Sequence, residues 1–249
     1  MKNILLKLSF DGSRYHGWQV QKNAHSVCAE VTEAIRTLTR EDHVALIGAS
    51  RTDAGVHAVE YVCNFRTDSS IPPERFKYAL NTQLPYDIVC YDSYEVGKEF
   101  HSINDTVKKT YRYVISNGEF AIPFEHNYAW HYCHRLDEIK MQEAAQFFIG
   151  THDFSAFCSS DTTTLTTIRT IFNMKVEREG EHISINVTGD GFLYNMVRII
   201  AGTLVEVGAG KIPPEEIKVI LEGKDRTKAG MTAPPYGLYL VKVYVKGSE

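Results

Sequence analysis

Apolar residues recur along this chain in two rhythms, and the order of those rhythms predicts its elements. "NILLKLSF" near the start tends towards strand alternation. "SVCAEVTEAIRTLTR" places Val27, Val31, Ala34, Ile35 and Leu38 at helical spacing, behind Ser26 as an N-cap. "HVALIGAS" is a short apolar run and predicts a buried strand. "AVEYVCNF" sets Val59, Tyr61, Cys63 and Phe65 on one face of another strand. "PPERFKYALN" opens on prolines and predicts a short helix carrying Phe76, Ala79 and Leu80. "DIVCYDSYEV" closes the series as a strand, so the order is β-α-β-β-α-β.

The remainder repeats that order. "KTYRYVIS" reads as a strand, and "LDEIKMQEAAQFFIG" as a helix with Ile139, Ala145, Phe148 and Ile149 inward and Gly150 as its stop. "TIRTIFNMKVER" and "EHISINVTG" form a hairpin turning at Glu179-Gly180. "LYNMVRIIAGTLVEV" reads as a long amphipathic helix, and "PPEEIKVILEG" as a shorter one with Gly223 at its end. "YGLYLVKVYV" is the last strand, with Leu238, Leu240, Val243 and Val245 in loose alternation. Two such series predict an α+β protein of two ferredoxin-like domains, residues 1–104 and 105–249, each an antiparallel sheet with helices on one face. Enzymes and RNA-recognition modules share that fold, so it assigns no function.

Composition narrows the classes. Of 249 residues 43% are hydrophobic and 23% charged, as in an ordinary globular protein. No apolar run has the length of a membrane span, and Lys7 interrupts the N-terminal apolar stretch, which reads as a strand rather than a signal peptide. A cytoplasmic protein is expected. Five scattered cysteines without a Cys-x-x-Cys argue against a disulfide framework and a cysteine-built zinc site. "HYCHR", with His131, Cys133 and His134, has a spacing that suits neither a helical face nor a zinc finger, and no metal is expected. The net charge of −4 shows no basic excess, although a basic cleft can sit on an acidic body.

Four segments carry candidate chemistry. "ASRTDAGVHA" packs Arg51, Asp53 and His57 around Gly55. An arginine beside an aspartate lowers its pKa by roughly one to three units and keeps a carboxylate ready as nucleophile or base. The plain alternative is an exposed ion pair, worth about 0 to 1 kcal/mol. In "KKTYRYVIS", Tyr111 and Tyr113 share a strand face, either as sheet packing or as a platform that stacks an unpaired base, and Lys108 and Lys109 stand where phosphate could be met. In "GDGFLYNMVRIIAG", Arg198 lies among apolar residues and either finds a carboxylate or reaches solvent along the helix. "FDGSRYHGWQVQKN" mixes glycine, aromatic and basic residues, as a loop touching nucleic acid does and as a structural loop also can.

With these segments in place, the chain resembles the tRNA pseudouridine synthase A family almost end to end. The residues that carry the resemblance are "YHGWQVQ", "RTDAGVHA", "LNTQLPYDI", "GTHDFSAF", "FLYNMVRIIAGTLVEVG" and "TAPPYGLYL", in the family's order. The resemblance implies an enzyme that isomerises uridine to pseudouridine in RNA, on the 3′ side of the tRNA anticodon stem-loop. It implies no cofactor, no metal, a homodimer, and two ferredoxin-like halves around a central RNA-binding cleft. Carried over residue by residue, Asp53 matches the catalytic aspartate and Arg198 the basic residue that pairs with it. Tyr111 matches the tyrosine that stacks on the target base, and Leu238 an apolar residue lining the pocket. Arg51, within the aspartate motif, is expected to hold the loop or contact RNA.

Two segments depart from the family's usual pattern. Glu60 and Tyr61 stand where a glycine and a glutamine are common, and Ser102, Ile103 and Asn104 where an alanine, an arginine and an aromatic residue are common. The departures bear on the RNA target, so the same chemistry on another RNA, such as ribosomal RNA, is the nearest alternative. A non-catalytic RNA-binding protein on the same scaffold is a further one.

Overall fold

The computed structural model describes residues 1–159 and 165–247. The chain divides into two units, one from Met1–Val107 joined by the C-terminal segment from Tyr239, the other from Lys108–Leu238. The last strand therefore departs from the expected division at 104 and 105: it returns to the first unit.

In the first unit β1 (Lys2–Phe10) is flanked by β3 (His57–Thr67) and β4 (Ile88–Val96), both antiparallel to it, with Leu6 opposite Cys63 and Ser93. The far edge of β3 is shared. β2 (Ile47–Gly48) pairs antiparallel with its later half, and β10 (Leu238–Val245) pairs parallel with its start, Tyr239 opposite His57. The sheet is thus mixed rather than antiparallel, because the chain comes back to β3 only after completing the second unit. The helices α1 (Val27–Thr39) and α2 (Phe76–Leu80) complete the unit. Val31 and Ile35 of α1 are buried, as are Phe76 and Leu80 of α2, and the Phe65 and Phe76 rings meet edge to face at 5.3 Å.

Two local expectations change here. "HVALIGAS" yields a strand of two residues, with Val44 and Leu46 half-buried: an apolar run does not make a strand where no partner edge is paired with it. Val59 is exposed, whereas Val62 and Asn64 are buried beside Tyr61, Cys63 and Phe65, so the middle of β3 is covered on both faces. Asn64 is buried with its amide hydrogen-bonded at both ends. Its Nδ2 donates to Asn3 Oδ1, and its Oδ1 accepts from the Ser102 backbone and hydroxyl at 2.9 and 2.7 Å.

The second unit holds β5 (Thr106–Ser116), β6 (Trp130–His131), α3 (Glu138–Gln146), β7 (Gly150–Asp153), β8 (Ile168–Glu179), β9 (His182–Gly189), α4 (Met196–Gly208) and α5 (Glu216–Gly223). Its strand order is β5-β9-β8-β7, antiparallel throughout, with β6 parallel to β5. The β8–β9 hairpin turns through Gly180-Glu181, one residue later than expected, since Glu179 pairs with His182 and Gly180 takes φ +58°. Ile139 points out, 68% exposed: Asp137 caps α3 by accepting from the Ile139 and Lys140 amides, and that start turns Met141, Ala144 and Ala145 inward.

Helix α4 is buried along nearly its whole length rather than on one face, Arg198 and Glu206 excepted. A following segment packs on it through glycines. A Cβ on Gly202 would stand 1.9 Å from Met231 O, and one on Gly230 2.7 Å from Thr203 Cα. The Thr203 hydroxyl accepts from Gly230 N at 2.9 Å. Among the described residues no helix is long and apolar enough to cross a membrane.

Candidate active site

Asp53 lies half-buried in the loop between β2 and β3, and backbone contacts set that loop's shape. Val56 N donates to Asp53 O at 3.2 Å and closes a turn across Ala54-Gly55, where Gly55 takes φ +78°. A residue with a side chain is disfavoured at that position of the turn. The "DGSRYHGW" segment lies against the loop. Gly55 N donates to Tyr15 O at 3.1 Å, and Trp18 N donates to Thr52 O at 3.2 Å. The approach is so close that two positions exclude a Cβ. One on Gly12 would stand 2.0 Å from Val56 O, and one on Gly17, at φ +83°, 2.1 Å from Thr52 O.

The bracing segment is itself anchored. The Tyr15 hydroxyl donates to Asp87 Oδ1 at 2.6 Å, and Arg14 Nη1 donates to Asp87 Oδ2 at 3.0 Å. Trp18 is buried and stacks on Tyr61 with ring centres 4.0 Å apart. The Tyr61 hydroxyl donates to Ser50 O, at the start of the Asp53 loop. This departure from the family pattern therefore holds the loop. The front segment's aromatic residues are structural, whatever its rim also contacts.

One sequence expectation is altered in this unit. Arg51 is exposed and makes no ion pair with Asp53 or another acid among the described residues. Two residues along a loop need not face each other. His57 is buried, with Nδ1 3.1 Å from both Gly12 N and Asp11 Oδ1 and its ring stacked on Tyr239 at 4.8 Å, so it helps join the front segment to β3 and β10.

The remaining candidates lie in the second unit. Tyr111, on β5, is 6% exposed and meets Phe192 edge to face at 5.1 Å. It shares the buried face with Tyr113. Tyr113 donates its hydroxyl to Pro234 O at 2.7 Å, and burial, then Tyr236, push its phenol upward. Gly237 packs where a Cβ would meet Val114 O at 2.8 Å, and this seats Leu238, 5% exposed, at the start of β10.

Arg198 is half-buried in the first turn of α4 and does not simply run out to water. Its Nε donates to Ala233 O at 2.8 Å, while its own carbonyl accepts from Ala233 N at 3.1 Å. Its Nη1 donates to Asn195 Oδ1 at 2.7 Å. Asn195 takes φ +60°, a left-handed conformation asparagine tolerates, and its Nδ2 donates to Ser159 Oγ at 2.9 Å. The planar guanidinium is thus fixed on two sides, as a group aimed at a carboxylate or phosphate must be.

Among the described residues no group of three His, Cys, Asp or Glu side chains could hold a metal. His131 Nε2 sits 3.1 Å from Gly118 O, and Cys133 is exposed. Burial pushes the Cys90 thiol up to about 12 and the Cys63 thiol also upward, which leaves neither a reactive thiolate. Sequence reasoning missed Asn195, Phe192 and Ala233, and it placed Gly12 and Gly17 in a candidate loop without reading their packing on the Asp53 loop. The glycine pair flanking Tyr15 was a signal for close backbone approach, whereas Ala233 carries none.

Comparison with known proteins follows the same residues. A family model described as tRNA pseudouridine synthase matches residues 8–104 and 144–244. A protein named tRNA pseudouridine synthase A from Acetivibrio thermocellus is 52% identical over 244 residues, which is 98% of this chain and 100% of that one. Its namesake from Thermoanaerobacter sp. (strain X514) is 49% identical over 243 residues, covering 98% and 99%. A tRNA pseudouridine synthase A 2 from Clostridium tetani is 51% identical over 245 residues, covering 98% of each.

Proposed function

This chain belongs to the tRNA pseudouridine synthase family, and on that footing we propose that it isomerises uridine to pseudouridine in tRNA, on the 3′ side of the anticodon stem-loop. The reaction breaks the C1′–N1 bond, turns the base and forms a C1′–C5 bond. A hydrogen leaves C5 and one is gained at N1, so the change is an isomerisation with no net oxidation.

The observation that carries this reading is the brace on Asp53: a loop built so tightly that Gly12 and Gly17 leave no room for a Cβ. Mere binding needs no such placement of a carboxylate, whereas attack on a nucleotide does. In this reading the target uridine leaves its stack, at a cost of a few kcal/mol that is smaller in a loop than in a duplex. Tyr111, its ring held by Phe192, stacks on the freed base, and Leu238 lines the pocket. Asp53 acts on the nucleotide as a charged carboxylate, by addition to C1′, by addition to the base, or by taking a sugar proton. Arg198 keeps that carboxylate ionised and oriented. Arg51, exposed and without an ion pair among the described residues, contacts RNA phosphate. The protein works in the cytoplasm and as a homodimer, and Phe120 and Phe124, 76% and 90% exposed, support a further protein contact.

A second reading, the same chemistry on ribosomal RNA, is favoured by one observation: Ile103, where the family commonly has an arginine, is 57% exposed and offers RNA no charge. Pseudouridine mapping of total RNA from cells with and without this gene separates the two. Loss of signal in tRNA anticodon arms is expected. Loss at a ribosomal site instead establishes the second reading, and intact signal everywhere, with no redundant relative, means a binding protein.

A further inference from the structure

Lys109 of β5 and Arg169 of β8 stand on one face of the second unit's sheet, on either side of Gly189 in β9. Lys109 pairs with Gly189, Gly189 pairs with Ile171, and Arg169 lies two residues before Ile171 on the same strand. Gly189 puts no side chain between them. The ring of Phe192 comes within 3.2 Å of where its Cβ would be, and Arg169 Nε within 3.5 Å of where a Cβ on Gly191 would be. The two cations thus border the short Gly189–Phe192 turn that also holds Tyr111 in place.

Among the described residues neither Lys109 nor Arg169 forms an ion pair. Arg169 spends its Nη1 on the carbonyls of Thr166 and Ile168, at 3.0 and 2.6 Å. Asp190, within the same turn, uses Oδ1 to accept from Thr170 N at 3.0 Å. Burial, then the Arg169 guanidinium, push the Lys109 ammonium down to about 8. Two like charges gathered at a half-buried place cost stability, and such an arrangement is expected where an anion supplies the missing charge. Tyr111 is two residues along the same strand from Lys109, a step of about 6.7 Å. That is the scale of the reach from a nucleobase to the phosphates beside its own sugar.

We propose that Lys109 and Arg169 form a phosphate-binding site for the RNA backbone next to the nucleotide that Tyr111 contacts. The inference rests on the reading of the substrate as RNA. Arginine offers a planar fork to phosphate and lysine a compact charge, so the pair suits a single non-esterified face of a phosphodiester. The site positions the strand and takes no part in bond making.

The test compares wild type with Lys109→Met, Lys109→Arg and Arg169→Met, measuring affinity for a tRNA transcript at several KCl concentrations, turnover, and the Tm of the free proteins. Each Met variant is expected to bind about tenfold more weakly, and to flatten the slope of log affinity against log salt by about 0.7 to 0.9. Lys109→Arg retains the wild-type slope, and Lys109→Met raises the Tm of the free protein because a costly charge is gone. Unchanged affinity and slope in both Met variants, with wild-type turnover intact, overturns the site alone. A wild type that neither binds nor modifies tRNA overturns the functional reading and this site with it. A lowered Tm in Lys109→Met, with binding lost in proportion and not regained in Lys109→Arg, marks the lysine as structural. A Tm rise produced by inorganic phosphate in wild type but not in Lys109→Met, with tRNA binding unaltered, assigns the site to a free anion and overturns the RNA contact.

Discussion

The two units aim their key charges by opposite means. Asp53 sits on a loop whose course is dictated by absent atoms: Gly12, Gly17 and Gly55 let two backbones meet and let the chain turn. Arg198 sits on a helix buried almost all round, and its direction comes from atoms that are present, Ala233 O and Asn195 Oδ1. The loop is therefore vulnerable to added bulk, and the helix start to the loss of a polar partner. Together they illustrate that a precise side chain needs rigid support, but that a close-packed loop supplies it as well as a helix does.

The largest expected effect removes the aimed group itself. Asp53→Asn should lower pseudouridine formation by about 10³-fold or more while tRNA affinity stays within a few-fold, read by base analysis of modified transcripts. Normal turnover in that variant would remove the assignment of Asp53. Bulk added to the loop comes next. Gly17→Ala places a Cβ 2.1 Å from Thr52 O at φ +83°, and should cost about 2 to 4 kcal/mol in denaturant unfolding and about 10²-fold in turnover. If Gly17→Ala is as active as wild type, the contrast between the two units fails.

The helix start is probed by Asn195→Gly, which keeps the left-handed backbone and deletes the acceptor for Arg198. About 1 kcal/mol of stability and about tenfold in turnover should go, because one charge-assisted hydrogen bond is lost while that to Ala233 stays. A smaller effect follows from Lys109. Its folded pKa of about 8 lies below the ordinary 10.5, so between those values the unfolded chain binds more protons. Stability contributed by this site therefore rises as pH increases from 8 to 10.5, and Lys109→Met should flatten that rise in unfolding curves. The smallest effect is Ile139→Ser, within about 0.5 kcal/mol, since that side chain is 68% exposed.

Much of the element list was legible because strands and helices here follow their own periods. β1, α1, β4, the β8–β9 hairpin and β10 lie where the apolar spacing puts them. Failures fell where period alone is ambiguous. "HVALIGAS" has the hydrophobicity of a strand but little edge to pair with, and Ile139 fits the helical stripe until the Asp137 cap sets where the helix begins. The candidate site was legible as residue types in motifs. Its supports were less so, since Asn195 acts through a side-chain oxygen and Ala233 through its backbone alone.

By itself the sequence determined which elements form, their order, and which charged and aromatic residues are worth suspecting, because these depend on neighbours a few positions apart. Tertiary structure alone decided that β10 returns to β3 as a parallel neighbour, that Arg51 stands exposed, and that Tyr15 and Trp18 brace the Asp53 loop. Each of these joins residues distant in the chain or orients side chains in a loop. No local period encodes such contacts: they follow from which surfaces close-pack when the whole unit excludes water.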